Sequence, residues 1–314
     1  MTTKEKLKKY QDWLFKCSAY QMALNIIGID KQTVAPSAGA AYRDERSAYL
    51  AGELFSLETD KEIVDLLKDL KDDPEVNDED RRAIELYYKR ALDTVCIPKE
   101  EFVAFKKLCD ESFDAWILAK SKADYSIFEP YLKKVIESQK KLYGYRSSDK
   151  SIYNQMLDDY EPGMDEEKYD AFFNALKERL VPLIGKVTKA KQINEDFLHQ
   201  SFPIEDQKKF MDDLLKYVHF DSSWGYQNES EHPFTSWTCE NDCRTTTKYI
   251  ENNVASAILS TVHEVGHAYY EHNSYKFSES FRLFLCRCLC RLFIYIFFHI
   301  FYGFYILYIF FRSR

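Results

Sequence analysis

Glycine and proline are scarce in this chain, nine and eight among 314 residues. The glycines are scattered, so neither a phosphate-cradling loop nor a G-x-S-x-G nucleophile elbow can be assembled, and no segment repeats at a fixed period. Nucleotide-binding P-loops, serine hydrolases of the elbow type and solenoids are excluded. No alternating apolar and polar run appears before residue 230, so any sheet is small. The N-terminus, "MTTKEKLKKYQDWLFKC", has no continuous apolar stretch and no small-residue cleavage site. It is not a secretory signal, and a cytoplasmic location is expected. Basic residues are also in deficit, with 38 against 51 acidic ones in residues 1–280, a net −13 that excludes nucleic acid as a partner.

What the chain does have is helical text. With 46% apolar and 30% charged residues it reads as a protein that folds in water. Ile84, Tyr87, Tyr88, Ala91 and Val95 recur at helical spacing, as do Phe102, Phe105, Cys109, Phe113 and Trp116. These stripes predict core-facing helices. Pro98 at a first-turn position, a capping box from Ser126 to Glu129, and Pro162-Gly163 before "MDEEKYDAFFNALKERL" punctuate them. At least seven helices are predicted. Eight cysteines do not form a disulfide framework here: Cys17, Cys96 and Cys109 lie in helical patterns and three more crowd into "LCRCLC", so reduced thiols are expected.

From "FDSSWGYQNESEHPFTSWTCENDCRTTTKY" the composition turns to Ser, Thr, Asn and Asp, which predicts short strands and loops leading into "STVHEVGHAYYEHN", Ser260 to Asn273. A helix here stacks His263 over His267 on one face, because residues four apart lie one turn from each other. H-E-x-x-H is a zinc motif: the histidines hold the ion, and Glu264 accepts a proton from the water it polarises. Asn252 or Asn253 can cap this helix. Val254, Ile258, Val262, Val265 and Tyr269 form its predicted buried face, and Gly266 offers room for close packing. Three readings compete with the catalytic one. The histidines can fall at this spacing by chance. Cys239 and Cys243 can join them in a structural zinc site, although nineteen residues separate Cys243 from His263 where a small finger has about twelve. A metzincin site needs histidine at position 273, which is Asn, leaving His272 as a surface residue.

The linked motifs "HPFTSW", "DCRTTTKY" and "HEVGHAYYE" resemble, in order and spacing, the H-P-F, D-x-R-x-T and H-E-x-x-H signatures of the carboxypeptidase Taq family. Weaker likeness runs through "MLDDYEPGMD" and "GIDKQTVAPSAGAAYRDERSAYLAGEL", covering roughly residues 10–275. The resemblance implies a mainly α, multi-helix, cleft-bearing metallopeptidase fold with a small strand region before the metal-binding helix. It implies a cytosolic homodimer that removes single residues from the free C-termini of peptides, using Zn²⁺ or Co²⁺. His263 and His267 are then metal ligands and Glu264 the general base, while His232, Pro233, Phe234, Asp242, Arg244 and Thr246 shape the substrate cleft. Arg244 can hold a carboxylate through its two-pronged guanidinium or pair with Asp242 instead.

The family's third ligand is a glutamate in a second H-E motif, expected near Leu292 and Phe293, where this sequence has no carboxylate. After His267 only Glu271 and Glu279 carry one; Glu271 matches a family position outside the metal shell. Residues 1–275 therefore read as the N-terminal and metal-helix part of the family domain, with the C-terminal lobe incomplete. Residues 276–314 read as an aberrant hydrophobic tail. From Phe281 the text uses mostly residue types with T-rich codons, as a frameshift or read-through gives. Read literally, residues 292–311 are a nearly uncharged run of twenty, long enough to span a membrane. The expected molecule is an impaired carboxypeptidase. The alternatives are a non-catalytic binding or dimerisation protein of the same descent, and a membrane-anchored form.

Overall fold

The computed structural model describes residues 1–273 apart from Ile193 and Glu195, and these fall into two compact units. The predicted tail, including Glu279 and residues 292–311, lies outside the described residues.

The first unit comprises Met1–Lys99, Ser236–Cys243 and the chain from Ala268. Its helices are α1 (Thr3–Thr33), α2 (Ala40–Glu58), α3 (Lys61–Lys71) and α4 (Asp78–Val95). Helix α1 starts with a reciprocal cap: the Thr2 hydroxyl accepts from the Glu5 N–H while Glu5 accepts from the Thr2 N–H. This satisfies two of the amides that a helix start leaves without partners. Asp60 and Asn77 cap α3 and α4 without the reciprocal bond, accepting from the Glu62 and Asp80 N–H groups. The core joins Tyr10, Trp13, Leu14 and Cys17 of α1 to Leu66, Leu67 and Leu70 of α3 and to Ile84, Tyr87 and Ala91 of α4. Trp13 stands edge-on to Tyr87 at 5.3 Å and donates from its indole to the Leu57 carbonyl at 2.9 Å, so its one polar atom enters the core partnered. The buried ion pair Lys31–Asp44 (2.9 Å) ties α1 to α2.

The second unit, Glu100–Thr235 with Arg244–His267, carries α5 (Lys99–Lys122), α6 (Glu129–Gly144), α7 (Ile152–Tyr160), α8 (Glu166–Val187) and α9 (Ile204–Tyr217). Trp116 is buried on α5, Leu142 on α6 and Met211 on α9. Helix α8 has no buried residue: Phe172, Leu180, Val181 and Ile184 are all at least 40% exposed. The Asp165 carboxylate caps it by accepting from the Lys168 N–H, and Gly163 supplies a positive φ of 90° in the turn that leads in.

Strands β1 (Gly225–Glu229), β2 (Thr235–Cys239) and β3 (Asp242–Thr247) form one sheet in the order β1-β3-β2, the small sheet expected just before the histidine motif. Helix α10 (Val254–His272) follows.

Two local expectations are corrected. The capping box from Ser126 to Glu129 is absent. Asp124 instead accepts from the Ser126 N–H to cap a short 3-10 turn, and α6 begins from Phe128 without a side-chain cap. Pro98 stands one residue before α5 rather than inside its first turn.

Candidate metal and general-base site

Helix α10 is positioned from its first turn. Asn253 caps it by accepting from the Ser256 N–H at 3.2 Å. The Thr247 hydroxyl donates to the Ala257 carbonyl at 3.3 Å, and the Gln227 amide donates to the Thr261 hydroxyl at 3.3 Å. Both contacts come from the sheet and fix the rotation of the helix about its axis. Ala257, Thr261, Glu264 and Val265 are consequently buried.

This rotation differs by one position from the predicted face. Val262 is 46% exposed and Leu259 70%, whereas Glu264 is only 4% exposed. An added Cβ on Gly266 would meet nothing within 4 Å among the described residues, so this glycine is not a close-packing point there. His272 is half-buried with its Nδ1 2.7 Å from the Glu240 carbonyl oxygen, so it is fastened to the β2–β3 turn and is not a free surface residue.

His263 is exposed and His267 half-buried. Their Nε2 atoms lie 3.0 Å apart, with the rings edge to face. Without an ion, one nitrogen donates to the other. The same convergence suits a divalent cation, because zinc–imidazole bonds of about 2.0–2.1 Å allow two nitrogens at this separation to reach one ion. Burial and then the neighbouring His263 hold the His267 ring below the ordinary imidazole value, favouring the neutral form that a metal requires. Among the described residues no third His, Cys, Asp or Glu completes a cluster with them. Cys243 is fully buried, with its thiol pushed up to about 12 by burial and then by Glu271, while Cys239 is exposed. The Glu271 carboxyl is itself raised to about 7 by burial.

Glu264 turns away from solvent. Burial raises its carboxyl above the ordinary value, and the Thr235 hydroxyl and the His263 charge work in the opposite direction. Oγ1 of Thr235 lies 2.6 Å from Oε2 of Glu264 and 2.9 Å from the Glu264 main-chain oxygen.

The loop that delivers Thr235 is built from the other motif residues. The Phe234 N–H donates to the Thr246 hydroxyl at 2.9 Å, and the Thr246 N–H donates to the Phe234 carbonyl at 2.8 Å. Ser230 Oγ lies 2.7 Å from the Thr246 hydroxyl and 2.6 Å from the His232 carbonyl. A single direction of donation satisfies the row, from the Phe234 amide through Thr246 and Ser230 to the His232 carbonyl. Thr246 is 1% exposed, so its hydroxyl acts on this loop. Glu231 receives Lys120 at 3.0 Å and Lys248 at 2.6 Å. The adjacent His232 imidazole is pushed down to about 4, chiefly by burial and then by Lys120, with Glu231 opposing.

Of the residues singled out in the sequence, His232, Phe234, Arg244, Thr246, His263, Glu264 and His267 belong to the second unit. Asp242 belongs to the first, where it accepts from the Thr238 hydroxyl at 2.8 Å. Thr235, Ser230 and Glu231 were not singled out. Their signal was adjacency to His232-Pro233-Phe234, which says nothing of which hydroxyl meets which acceptor.

Comparison with known proteins now bears on this geometry. The family model for carboxypeptidase Taq (M32) metallopeptidases matches residues 9–283. Carboxypeptidase 1 of Bacillus subtilis is 34% identical over 270 residues, which is 85% of this chain and 54% of that protein. The crystal structure of BsuCP superposes with a TM-score of 0.81 at 33% identity, covering 86% of this chain and 55% of that one. A Pyrococcus furiosus carboxypeptidase structure in an apo-Mg form gives 0.75 at 27% identity, covering 85% and 55%. The chain thus spans about half the length of the curated relatives it matches.

Proposed function

Because the chain belongs to the carboxypeptidase Taq (M32) family of metallopeptidases, we propose that it contributes the metal helix and general base of a metal-dependent carboxypeptidase acting on peptides with free C-termini. The observation that carries this reading is the 3.0 Å approach of the His263 and His267 ring nitrogens beside the buried carboxyl of Glu264. His263 and His267 would hold a divalent ion, zinc in the first instance and cobalt as the alternative. When bound, such an ion supplies Lewis-acid polarisation of a carbonyl oxygen and acidifies water.

The protein's own residues do the rest. Glu264 accepts the proton of the attacking water and returns one to the departing amine. Its burial suits that role, since a carboxyl raised toward neutrality exchanges protons more readily near physiological pH. Phe234 and Thr246 shape the loop beside it, with His232 neutral at that pH. Arg244 is assigned to the substrate side of the site and Asp242 to the support of its strand. A catalytic zinc site ordinarily has three protein donors. With two among the described residues, weak ion binding and impaired hydrolysis are proposed for this chain. Residues 1–275 are assigned to the family domain, with a cytoplasmic location and a homodimer when the lobe is complete. The membrane-anchored alternative depends on residues outside the description; among the described residues no helix is long and apolar enough to cross a membrane.

The test is to load the purified chain with zinc, follow release of the C-terminal amino acid from a blocked peptide, and repeat with Glu264→Gln. Zinc-dependent release that disappears in the variant supports the reading. Release that Glu264→Gln leaves untouched refutes it, and a protein that neither binds zinc nor trims peptides fits the non-catalytic alternative.

A further inference from the structure

We infer that Thr235 is a positioning residue for Glu264: its hydroxyl, within hydrogen-bond reach of both the carboxyl group and the main-chain oxygen of Glu264, holds the carboxyl in one orientation beside the histidines. The inference rests on the reading of Glu264 as the general base.

A glutamate side chain has three rotatable bonds, and freezing a flexible side chain costs conformational entropy. Something must therefore select the orientation from which a proton can be taken. Burial limits the choice, since Glu264 is 4% exposed, but burial alone does not aim an oxygen. Thr235 is the side chain hydrogen-bonded to it among the described residues. Its Oγ1 sits 2.6 Å from Oε2 and 2.9 Å from the Glu264 carbonyl oxygen. A single oxygen within reach of both ends of one residue closes a small ring, and every torsion between Cα and the carboxyl is constrained by that closure. The Thr235 hydroxyl has one hydrogen: with the carboxyl protonated, Oε2–H donates to Oγ1 while Oγ1–H donates to the Glu264 carbonyl, and with the carboxyl ionised Oγ1–H donates to Oε2. Thr235 also starts β2, and its β-branched side chain has restricted χ1 freedom. The hydroxyl is thus presented by a stiff element.

Thr235 is placed in turn by the pairing of Phe234 with Thr246: the Phe234 N–H donates to the Thr246 hydroxyl at 2.9 Å and the Thr246 N–H donates to the Phe234 carbonyl at 2.8 Å. A rigid row therefore runs from Thr246 through Phe234 and Thr235 to Glu264, with each contact drawn from backbone or buried hydroxyl. Serine carries the same oxygen as threonine at the same bond length. Valine has the same shape and lacks the oxygen. The two substitutions separate positioning from packing.

The experiment uses the full chain in two measurements. In the metal-free protein, urea midpoints of wild type, Thr235→Val, Glu264→Met and the double variant form a cycle. Coupling of roughly three- to tenfold in the unfolding equilibrium constant is expected for a buried hydrogen bond between the two. Thr235→Ser should retain the wild-type midpoint more closely than Thr235→Val. In the zinc-loaded protein, Thr235→Val should lower kcat with KM and zinc affinity unchanged, and Thr235→Ser should recover it. An additive cycle overturns the inference, as does a Thr235→Val protein that hydrolyses peptide as fast as wild type while Glu264→Gln is inactive. If instead Glu264→Gln is as active as wild type, the reading of the base fails, whatever the cycle shows. Where peptide release is too slow to follow in every form, the cycle on the metal-free protein decides.

Discussion

The Nε2 atoms of His263 and His267 face each other at 3.0 Å across one turn of helix α10, while the carboxyl of Glu264, next to the first of them, is buried against the Thr235 hydroxyl at 2.6 Å. One turn of helix thus carries two imidazoles that solvent reaches, the exposed His263 and the half-buried His267, and a carboxyl held by the protein. That division is what a site needs if the ion is to come from solvent and the base is to be held by the protein.

Removing either imidazole should therefore abolish metal capture. His263→Ala and His267→Ala are each expected to lower zinc affinity by more than about 100-fold, since even loss of a supporting partner beyond the ligands costs about 10–100-fold. Competition against a chromogenic chelator measures it. Equal affinity in either variant would exclude this pair as the metal site.

His232 gives the fold a pH dependence of predictable sign. Its folded value near 4 lies below the ordinary 6.5, chiefly through burial. Between these values the unfolded chain binds a proton that the folded chain refuses. The contribution is complete above pH 6.5 and is lost as pH falls toward 4, up to roughly 3 kcal/mol in all. Urea midpoints from pH 7.5 to 4 should fall less steeply for His232→Gln than for wild type. Parallel curves would mean that this imidazole titrates freely in the folded chain.

Thiol chemistry should sort the described cysteines by environment. Cys96 and Cys239 are exposed, whereas Cys17 and Cys243 are fully buried, and burial raises Cys109 to about 11 and Cys243 to about 12. The thiolate is the reactive form. Peptide mapping after brief iodoacetamide treatment at pH 8 should find Cys96 and Cys239 alkylated, with Cys17, Cys109 and Cys243 modified only after unfolding. Rapid modification of Cys243 in the native protein would contradict the packing of β3.

Apolar residues on different helices should respond in opposite ways. Leu67 is wholly buried in the first unit, so Leu67→Ala should cost about 2–5 kcal/mol. Val181, 61% exposed on α8, should tolerate Val181→Lys within about 0.5 kcal/mol. Denaturant titration distinguishes them, and a large loss at Val181 would show that something covers that face in solution.

The α-helices were legible because each carries its own record. Ile84, Tyr87 and Ala91 of the predicted stripe turned inward with Tyr88 packed at the edge, whereas Val95, in the last turn of α4, is 47% exposed; the H-E-x-x-H residues were recognisable from chemistry and helical geometry alone. The small sheet was legible by default, as the stretch where helical period fails. What could not be read was rotation and pairing. Val254, Ile258, Val262 and Val265 all suit an apolar face by composition, yet the sheet contacts from Thr247 and Gln227 turn Glu264 inward and leave Val262 out.

The sequence by itself determined that a helix forms over Val254–His272 and that His263 and His267 share one side of it, because both follow from a repeat of 3.6 residues within a single element. Tertiary structure alone decided that Glu264 meets Thr235 and that Thr246 supports the loop between them. Those contacts join residues 29 and 12 positions apart, and no local periodicity encodes which hydroxyl a folded chain brings to which acceptor.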